Sequence, residues 1–479
     1  MPASAKADAL LEGPVLRSLV TLAVPIVLAN ILQAGYQLTD AFWVGRLGGA
    51  AIAAVSVSFP IMFLSIAIGA GLAVAGSILI AQYFGARNQT MVNHVAAQTL
   101  LMIVLASVVL GGLGYLAAPA LLRLMGVTQA VYVGALPFMR IGFVGLAFTF
   151  AFSMFQAIMR GVGEANLPVY IVLGTVILNF GLDPLFIFGW GRVPALGVTG
   201  AAIATLITQS IAAFVGLWIL FRGQYGIHLS LKNFVPDFAY MKRAFLLGFP
   251  ASIEMSARAL GLTVMTFLIA SFGTLAIAAY GVGSNVLQVV MIPAMGLSMA
   301  VSTLVGQNIG AGHIERAARI GRLGAWLSFW SLTAIGVIVF LFAPHFVAFF
   351  VPDDAGVIAA GATFLRIMSL TWGFIGVQFA LTGVLRASGS MVLAMTLTMV
   401  SLWGIQFPLA FALSKGTALG VNGIWWAFPI ANVVIVAVTI GIYMRGGWKT
   451  KRLTGASDAL TGKITEEVLT VEAYTNRPT

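Results

Sequence analysis

The chain has no cysteine among its 479 residues, and only 8% of its residues are charged. The lack of cysteine excludes disulfides and thiolate metal sites. Soluble domains carry about 25% charged residues, so the scarcity of charge excludes a water-soluble enzyme. The sequence also has no glycine-rich phosphate-binding loop of the P-loop type, which argues against ATP as an energy source.

Hydrophobic residues make up 60% of the chain, and the mean hydropathy is +1.02. A helix needs about 20 apolar residues to cross a bilayer, and twelve apolar runs reach that length. The sequence therefore predicts an all-α integral membrane protein with twelve transmembrane helices. The predicted spans are 15–43, 51–80, 93–118, 131–157, 167–189, 197–221, 243–270, 276–305, 319–343, 356–383, 391–413 and 421–444.

The basic residues indicate the orientation of these spans. Twelve spans place both termini on one side, and 18 of the 25 Lys and Arg residues fall in segments on that side. Six fall on the other side, and Arg258 lies within a span. The positive-inside rule then predicts a multi-pass protein of the inner (cytoplasmic) membrane with both termini in the cytoplasm. The net charge of +11 is thus a topology signal, and no nucleic-acid partner is expected.

The two halves of the sequence resemble each other at an offset of about 225 residues. AIAAVSV at 51–57 matches AIAAYGV at 276–282, and AQYFGA at 81–86 matches GQNIGA at 306–311. Six helices per half predict two lobes related by a parallel pseudo-two-fold axis along the membrane normal, an arrangement that can rock to move cargo. We expect an N-terminal lobe (1–221), a cytoplasmic linker (222–242), a C-terminal lobe (243–445) and a flexible cytoplasmic tail (446–479).

Three acidic residues fall inside predicted spans: Asp40, Asp183 and Glu254. A charge at the bilayer centre costs about 2.5–3.5 kcal/mol even on an insertion scale, so such residues usually face an interior cavity. Asp40 shares a helical face with Gln33 and Tyr36, and Asp183 shares one with Asn179. Carboxylate and amide oxygens suit a proton or Na⁺, and Thr205 on helix 6 can add a hydroxyl.

Each of these residues also has a structural interpretation. Asp40 is either a coupling residue or an interfacial one, while Asn179, Asp183 and Thr205 either bind an ion or pack helices. Pro25, inside helix 1, marks either a static kink or a hinge. The matching positions in the second half are apolar, since Asp40 corresponds to Met265. Coupling chemistry is therefore predicted in the N-terminal half.

Glu254 and Arg258 lie four residues apart on helix 7, in the favourable order for an ion pair. The pair either shapes the cavity of the C-terminal half or forms a secondary proton or substrate site. Arg386 is counted with the loops, at the position that matches Arg160.

Several segments resemble the MATE (multidrug and toxic compound extrusion) transporters, and in particular their DinF-like branch. They are AVPIVLANILQAGYQLTDAFWVGRLGG at 23–49, the QxxGA elements at 82–86 and 307–311, MRGVGEANLPVYIVLGTVILNFGLDPLFIFG at 159–189 and GVLRASGS at 383–390. The resemblance implies the MATE/MOP-type fold, with a V-shaped pair of six-helix lobes. It further implies a monomeric antiporter in the lipid bilayer that exports bulky amphipathic or cationic drug-like compounds in exchange for H⁺ or Na⁺, without a cofactor.

The resemblance also implies roles for individual residues. It implies an H⁺ or Na⁺ site at Asp40, Asn179, Asp183 and Thr205, and a hinge at Pro25. Gln33, Tyr36 and Gln156 are implied to belong to the substrate cavity or a relay. Helix 10 lacks the carboxylate that some branches use in the C-terminal lobe, which puts an ion site there in doubt.

Two other functions remain open at this point. A flippase or exporter of lipid-linked or oligosaccharide cargo would favour a cationic cavity, whereas Arg258 is opposed by Glu254. An intramembrane enzyme would need a catalytic constellation within the spans, and the four histidines fall in loops or near a helix end. We therefore predict a transporter and not an enzyme.

Overall fold

The structure is a computed structural model that describes residues 10–191, 193–223 and 225–454. These residues form helices joined by short loops. The first six long helices are α1 (Val15–Gly45), α2 (Gly49–Gly85), α3 (Gln89–Leu124), α4 (Gln129–Gly161), α5 (Asn166–Phe188) and α6 (Val198–Arg222). The second set comprises α7 (Phe238–Ala270), α8 (Thr274–Gly310), α9 (Ile314–Phe350), α10 (Ala355–Ser369), α11 (Trp372–Ala387), α12 (Met391–Met399), α13 (Phe407–Lys415) and α14 (Val421–Met444).

Within the described ranges, eleven helices are long and apolar enough to span a membrane, or twelve if the bent pair α10 and α11 forms one span. That pair corresponds to the predicted continuous span 356–383, but its halves meet at 50°. The break contains no proline. Ser369 donates to the carbonyl of Arg366, so its side chain competes with the backbone hydrogen bonds at this point. The side chain of Thr371 accepts a hydrogen bond from Asn432. The eleventh span is also irregular, because π-helical turns over Val400–Gln406 connect α12 to α13.

The two lobes repeat one packing scheme. In the first lobe α2 packs on α4, α4 on α6, and α1 on α5. In the second, α8 packs on α10 and α11, these pack on α14, and α7 packs on the α12–α13 span. The fold is therefore the predicted two-lobed helical membrane protein. Each lobe has a core of buried apolar side chains, and a third cluster joins α1 to α8, α9 and α11.

The lobes meet most closely on the face that carries both described chain ends, which we call the terminal face. A Cβ placed on Gly85 would lie 1.9 Å from the carbonyl oxygen of Gln307, and one on Gly310 would lie 1.9 Å from that of Gln82. Only glycine permits this approach of α2 and α8. The repeated QxxGA elements therefore close the terminal face.

Side chains of the same elements extend this closure in a symmetric way. Gln82 donates to the carbonyl of Ala387 at 2.7 Å, and Gln307 donates to that of Gly161 at 2.9 Å. The amide oxygen of Gln82 also accepts the backbone N–H of Leu453, at 2.9 Å. The two glutamines thus connect each lobe to the helix ends of the other.

Segments that flank the helices also bind the terminal face. Arg316 of α9 donates to the carbonyls of Leu10 and Gly13, ahead of α1. Arg452 donates to the carbonyl of Gly310, and Arg243 donates to that of Leu453. Residues 446–454 therefore pack against both lobes, and the rest of the predicted tail, 455–479, lies outside the described residues.

The predicted linker packs on the terminal end of α3. The amide of Gln98 donates to the carbonyls of Asn233 and Val235 and accepts the N–H of Asp237. Asp237 also lies 3.3 Å from His94 and caps the start of α7. The connection between the lobes is therefore anchored to the first lobe.

Candidate functional site

The first lobe brings together four of the predicted site residues from three helices. Thr205 on α6 donates to Asp40 Oδ2 on α1 at 3.4 Å. On α5, Asn179 Nδ2 donates to Asp183 Oδ1 at 3.2 Å, as their i,i+4 spacing predicts. The carboxyl group of Asp40 lies close enough to Asp183 and Asn179 to interact with both. Asn179 and Asp183 are 0% exposed, and Asp40 is partly buried.

Three oxygen atoms of this cluster accept no hydrogen bond from any described residue. They are Asp40 Oδ1, Asn179 Oδ1 and Asp183 Oδ2, and all three are buried. In the described ranges, neither carboxylate has a basic side chain within ion-pair distance. A buried carboxylate without a counter-charge is costly. The arrangement therefore has the chemistry to take up a proton or a small cation that oxygen ligands prefer.

A hydrogen bond next to the cluster connects α1 to α6. Tyr36, one turn before Asp40, lies 2.6 Å from Thr208, and this bond is buried between α1 and α6. Thr208 also donates to the backbone of its own helix. Gln33 on α1 and Gln156 on α4 are partly buried, and neither side chain makes a hydrogen bond to another described residue.

Trp43, which the sequence reasoning did not identify, adds a polar group beside the cluster. Its ring lies 5.7 Å from Phe180 and 6.2 Å from Phe188, on either side of Asp183 along α5. Its indole N–H is buried with no acceptor in the described part of the chain. Trp43 follows Asp40 by three residues, so their shared face was the available signal.

Pro25 lies in α1 next to a contact between the lobes. A Cβ on Gly296 of α8 would lie 2.4 Å from the Val27 side chain, two residues after Pro25. A cavity of about 370 Å³ flanks the same stretch, and Asp40 is not part of its wall. Its lining is apolar apart from one hydroxyl and consists of Val20, Ala23, Val24, Val27, Leu28, Ile31, Leu297, Leu327 and Ser331.

The second lobe has a different polar cluster. Glu254 Oε1 accepts from Arg258 at 3.1 Å, as predicted, but it also accepts from Arg386 at 2.5 Å and from Thr398 at 2.9 Å. The placement of Arg386 in a loop is therefore wrong. The helix α11 continues to Ala387, so Arg386 occupies its last turn, where α7 packs close enough for an ion pair.

Comparisons with known proteins agree with this architecture. The MatE family model matches residues 25–185 and 250–412, which is more than half of the chain. The chain belongs to the MATE family. It is 32% identical over 447 residues to the "Probable multidrug resistance protein YoeA" of Bacillus subtilis, covering 91% of this chain and 95% of that protein. It is 26% identical to the "Probable multidrug resistance protein NorM" of Thermotoga maritima, covering 92% of this chain and 95% of that one.

Among solved structures, this MATE protein is similar to the "Outward-facing conformation of a multidrug resistance MATE family transporter of the MOP superfamily". The TM-score is 0.84 at 25% identity, and the match covers 91% of this chain and 97% of that chain. Family membership confirms the prediction of a transporter of the multidrug efflux class, and not an enzyme.

Proposed function

We propose that this MATE transporter is an antiporter that exports bulky amphipathic or cationic compounds in exchange for H⁺ or Na⁺. The observation that supports it most directly is the cluster of Asp40, Asn179 and Asp183, each of which has one buried oxygen with no donor among the described residues. Asn179 and Thr205 complete the ion site. Gln33, Tyr36 and Gln156 line the cargo cavity or relay that adjoins it.

The distribution of basic residues supports an orientation. The terminal face corresponds to the side that is predicted from the sequence to carry 18 of the 25 Lys and Arg residues, so we assign it to the cytoplasm. The contacts of Gly85 and Gly310 close this side, which supports our assignment of the conformation as outward-facing. We assign the protein to the inner membrane as a monomer, with lobes at 1–221 and 243–445 joined by the linker 222–242.

The coupling mechanism follows from charge neutralisation. A cation that enters from outside neutralises the Asp40–Asp183 pair and changes the hydrogen bonding around Tyr36 and Asn179. Bending of α1 at Pro25 then disturbs the contact of Val27 with α8 and shrinks the cavity that holds cargo. The transporter couples the two fluxes because ion and cargo favour different conformations, and a ligand can shift an equilibrium only by its differential affinity.

The test is ethidium efflux from proteoliposomes under an imposed pH gradient or Na⁺ gradient, each applied separately. At least one gradient should drive efflux by the native protein, and Asp40→Asn should abolish the gradient-driven part. Asp353→Asn is the matched control, because it removes one carboxylate from an exposed turn of the other lobe. Undiminished efflux by Asp40→Asn, or efflux that responds to neither gradient, would contradict the proposal.

A further inference from the structure

The polar cluster of the second lobe carries more positive than negative charge. Glu254 is 1% exposed, and its Oε1 receives hydrogen bonds from two guanidinium groups, those of Arg258 and Arg386. One carboxylate can neutralise only one of them. The pairing therefore leaves a surplus positive charge between α7, α11 and α12.

None of the other described acidic residues of this lobe lies within ion-pair distance of Arg258 or Arg386. Glu315 pairs with Lys449 at 3.1 Å on the terminal face. Asp354 caps the start of α10, and Asp353 precedes it in an exposed turn at the opposite face. Since an unbalanced charge inside a membrane protein is costly, an anion from outside the chain would stabilise this cluster.

Arg258 has free donors to hold such an anion. Its side chain is 40% exposed, whereas that of Arg386 is 20% exposed. The bonds to Glu254 and Thr398 both use Nη2, so Nε and Nη1 have no acceptor in the described part of the chain. The centre of the Phe379 ring lies 5.3 Å from the guanidinium carbon. A guanidinium fork of this kind matches a carboxylate or phosphate.

The position of Arg258 in the repeat indicates which way its guanidinium group faces. At the offset of 225, Arg258 corresponds to Gln33, the predicted cavity residue of the first lobe. By this correspondence the Arg258 guanidinium faces the space between the lobes, whereas the carboxylate oxygens of the first lobe that have no donor, Asp40 Oδ1 and Asp183 Oδ2, are buried within that lobe. Arg386 therefore reverses the earlier argument that Glu254 cancels the charge of Arg258.

We propose that Arg258, supported by Glu254 and Arg386, forms a binding site for an oxyanion, a carboxylate or a phosphate, in the second lobe. The oxyanion belongs either to cargo or to the headgroup of an anionic lipid. The proposal extends the proposed transport function, because it adds an anionic group to the cargo or the lipids that the cleft accepts. Glu254 and Arg386 act here as positioning residues.

The test is equilibrium binding of two dyes to the purified protein in phosphatidylcholine nanodiscs, followed by fluorescence polarisation. Fluorescein supplies a carboxylate, and ethidium supplies a cation. Arg258→Gln should weaken fluorescein binding by about tenfold or more, since charge-assisted bonds are strong, and leave ethidium binding within about twofold. Arg258→Lys should restore part of the fluorescein affinity, which a folding defect would not. Arg366→Gln, an equal loss of charge at an exposed site of the same lobe, should change neither.

The outcomes distinguish an anion that belongs to a lipid from one that belongs to cargo. They also distinguish failure of the oxyanion site from failure of the proposed antiport. If phosphatidylglycerol in the nanodisc competes with fluorescein in the native protein but not in Arg258→Gln, a lipid headgroup occupies the site; without competition, cargo does. Unchanged fluorescein affinity in Arg258→Gln, equal loss in Arg366→Gln, or absence of fluorescein binding to the native protein would overturn the oxyanion site. Binding needs no ion gradient, so Asp40→Asn should retain it even though coupled efflux is lost.

Discussion

The two lobes of this transporter share a scaffold and differ in their interior charge. On the terminal face the contacts are equivalent, since Gln82 donates to Ala387 and Gln307 donates to Gly161. Inside, the first lobe has two carboxylates without a basic partner in the described ranges, whereas the second has one carboxylate with two arginines. The repeat thus encodes the packing, and the residues present in only one copy encode the chemistry.

The two lobes also differ in their backbone, because the helices of the second lobe are less regular than those of the first. The fourth span, α4, is one continuous helix, but its counterpart is bent by 50° between α10 and α11. The π-helical turns over Val400–Gln406 lie where the repeat places Asn179 and its neighbours in the first lobe. Such turns often occur at functional sites. The second lobe therefore has its own specialised interior, which is consistent with separate ionic roles for the lobes.

The sharpest test of this difference is the stability of charge-neutralised variants. Glu254→Gln leaves two guanidinium groups without their counter-charge, and removal of one partner from a buried pair costs about 3–5 kcal/mol. Asp183→Asn removes a charge that has no basic partner in the described ranges, so its free energy of unfolding should be unchanged or higher. Thermal unfolding of both variants in one detergent measures the contrast.

Asp353→Asn again serves as the control. Its free energy of unfolding should change by no more than about 0.5 kcal/mol, as expected for an exposed site. Equal destabilisation by Asp183→Asn and Glu254→Gln would show that both lobes use their carboxylates as structural partners, and the functional distinction between them would fail.

Some parts of these clusters could be predicted from sequence because they depend on local spacing. Asn179 and Asp183 are one helical turn apart, and the structure shows the hydrogen bond between them. Glu254 and Arg258 have the same spacing and form the predicted ion pair. The spans themselves were predictable to within about seven residues at either end, because apolar length is a property of contiguous sequence.

Other parts depend on contacts that no local pattern indicates. Arg386 is 132 residues from Glu254 along the chain, so only the packing of α7 on the following helices brings them together. The bend between α10 and α11 has no proline or glycine at its break, Leu370–Thr371, to predict it. The QxxGA repeats were visible, but their role in closing the terminal face required the distance between Gly85 and Gln307.

The symmetric part of the comparison can be tested at the glycines. Gly85→Val and Gly310→Val each place a side chain against a carbonyl of the other lobe, 1.9 Å from the Cβ position. Overpacking costs about 1–3 kcal/mol, so both should separate the lobes at the terminal face by similar amounts. Because the chain has no cysteine, spin labels at Thr90→Cys and Arg319→Cys, both exposed, can report the distance.

A matched control for these variants is Gly112→Val in α3, where a Cβ meets no other atom within 4 Å. An unchanged label distance in Gly85→Val and Gly310→Val, or a change in only one of them, would show that the two contacts do not act as equivalent parts of one closure.

Substitution of the two glutamines, Gln82 and Gln307, should have less equal effects than substitution of the two glycines. Gln82→Ala removes two bonds, one to Ala387 and one from Leu453, whereas the amide oxygen of Gln307 is buried without a donor in the described part of the chain. A typical hydrogen bond contributes about 0.5–1.5 kcal/mol, so Gln82→Ala should be more destabilising by about 1 kcal/mol. Thermal unfolding gives the difference. If Gln307→Ala were the more destabilising, the C-terminal segment would not contribute to the closure.

The smallest expected effect concerns Thr205. Its bond to Asp40 is 3.4 Å long and neutral on the donor side, so it should contribute about 0.5–1.5 kcal/mol. Thr205→Ala should therefore raise the ion concentration for half-maximal ethidium efflux by about two- to tenfold and leave the maximal rate nearly unchanged. Thr263→Ala, which removes a hydroxyl bonded only to the α7 backbone, is the control. A complete loss of coupling in Thr205→Ala would mean that the hydroxyl binds the ion as strongly as the carboxylates do, and the ion site would then depend as much on α6 as on α1 and α5.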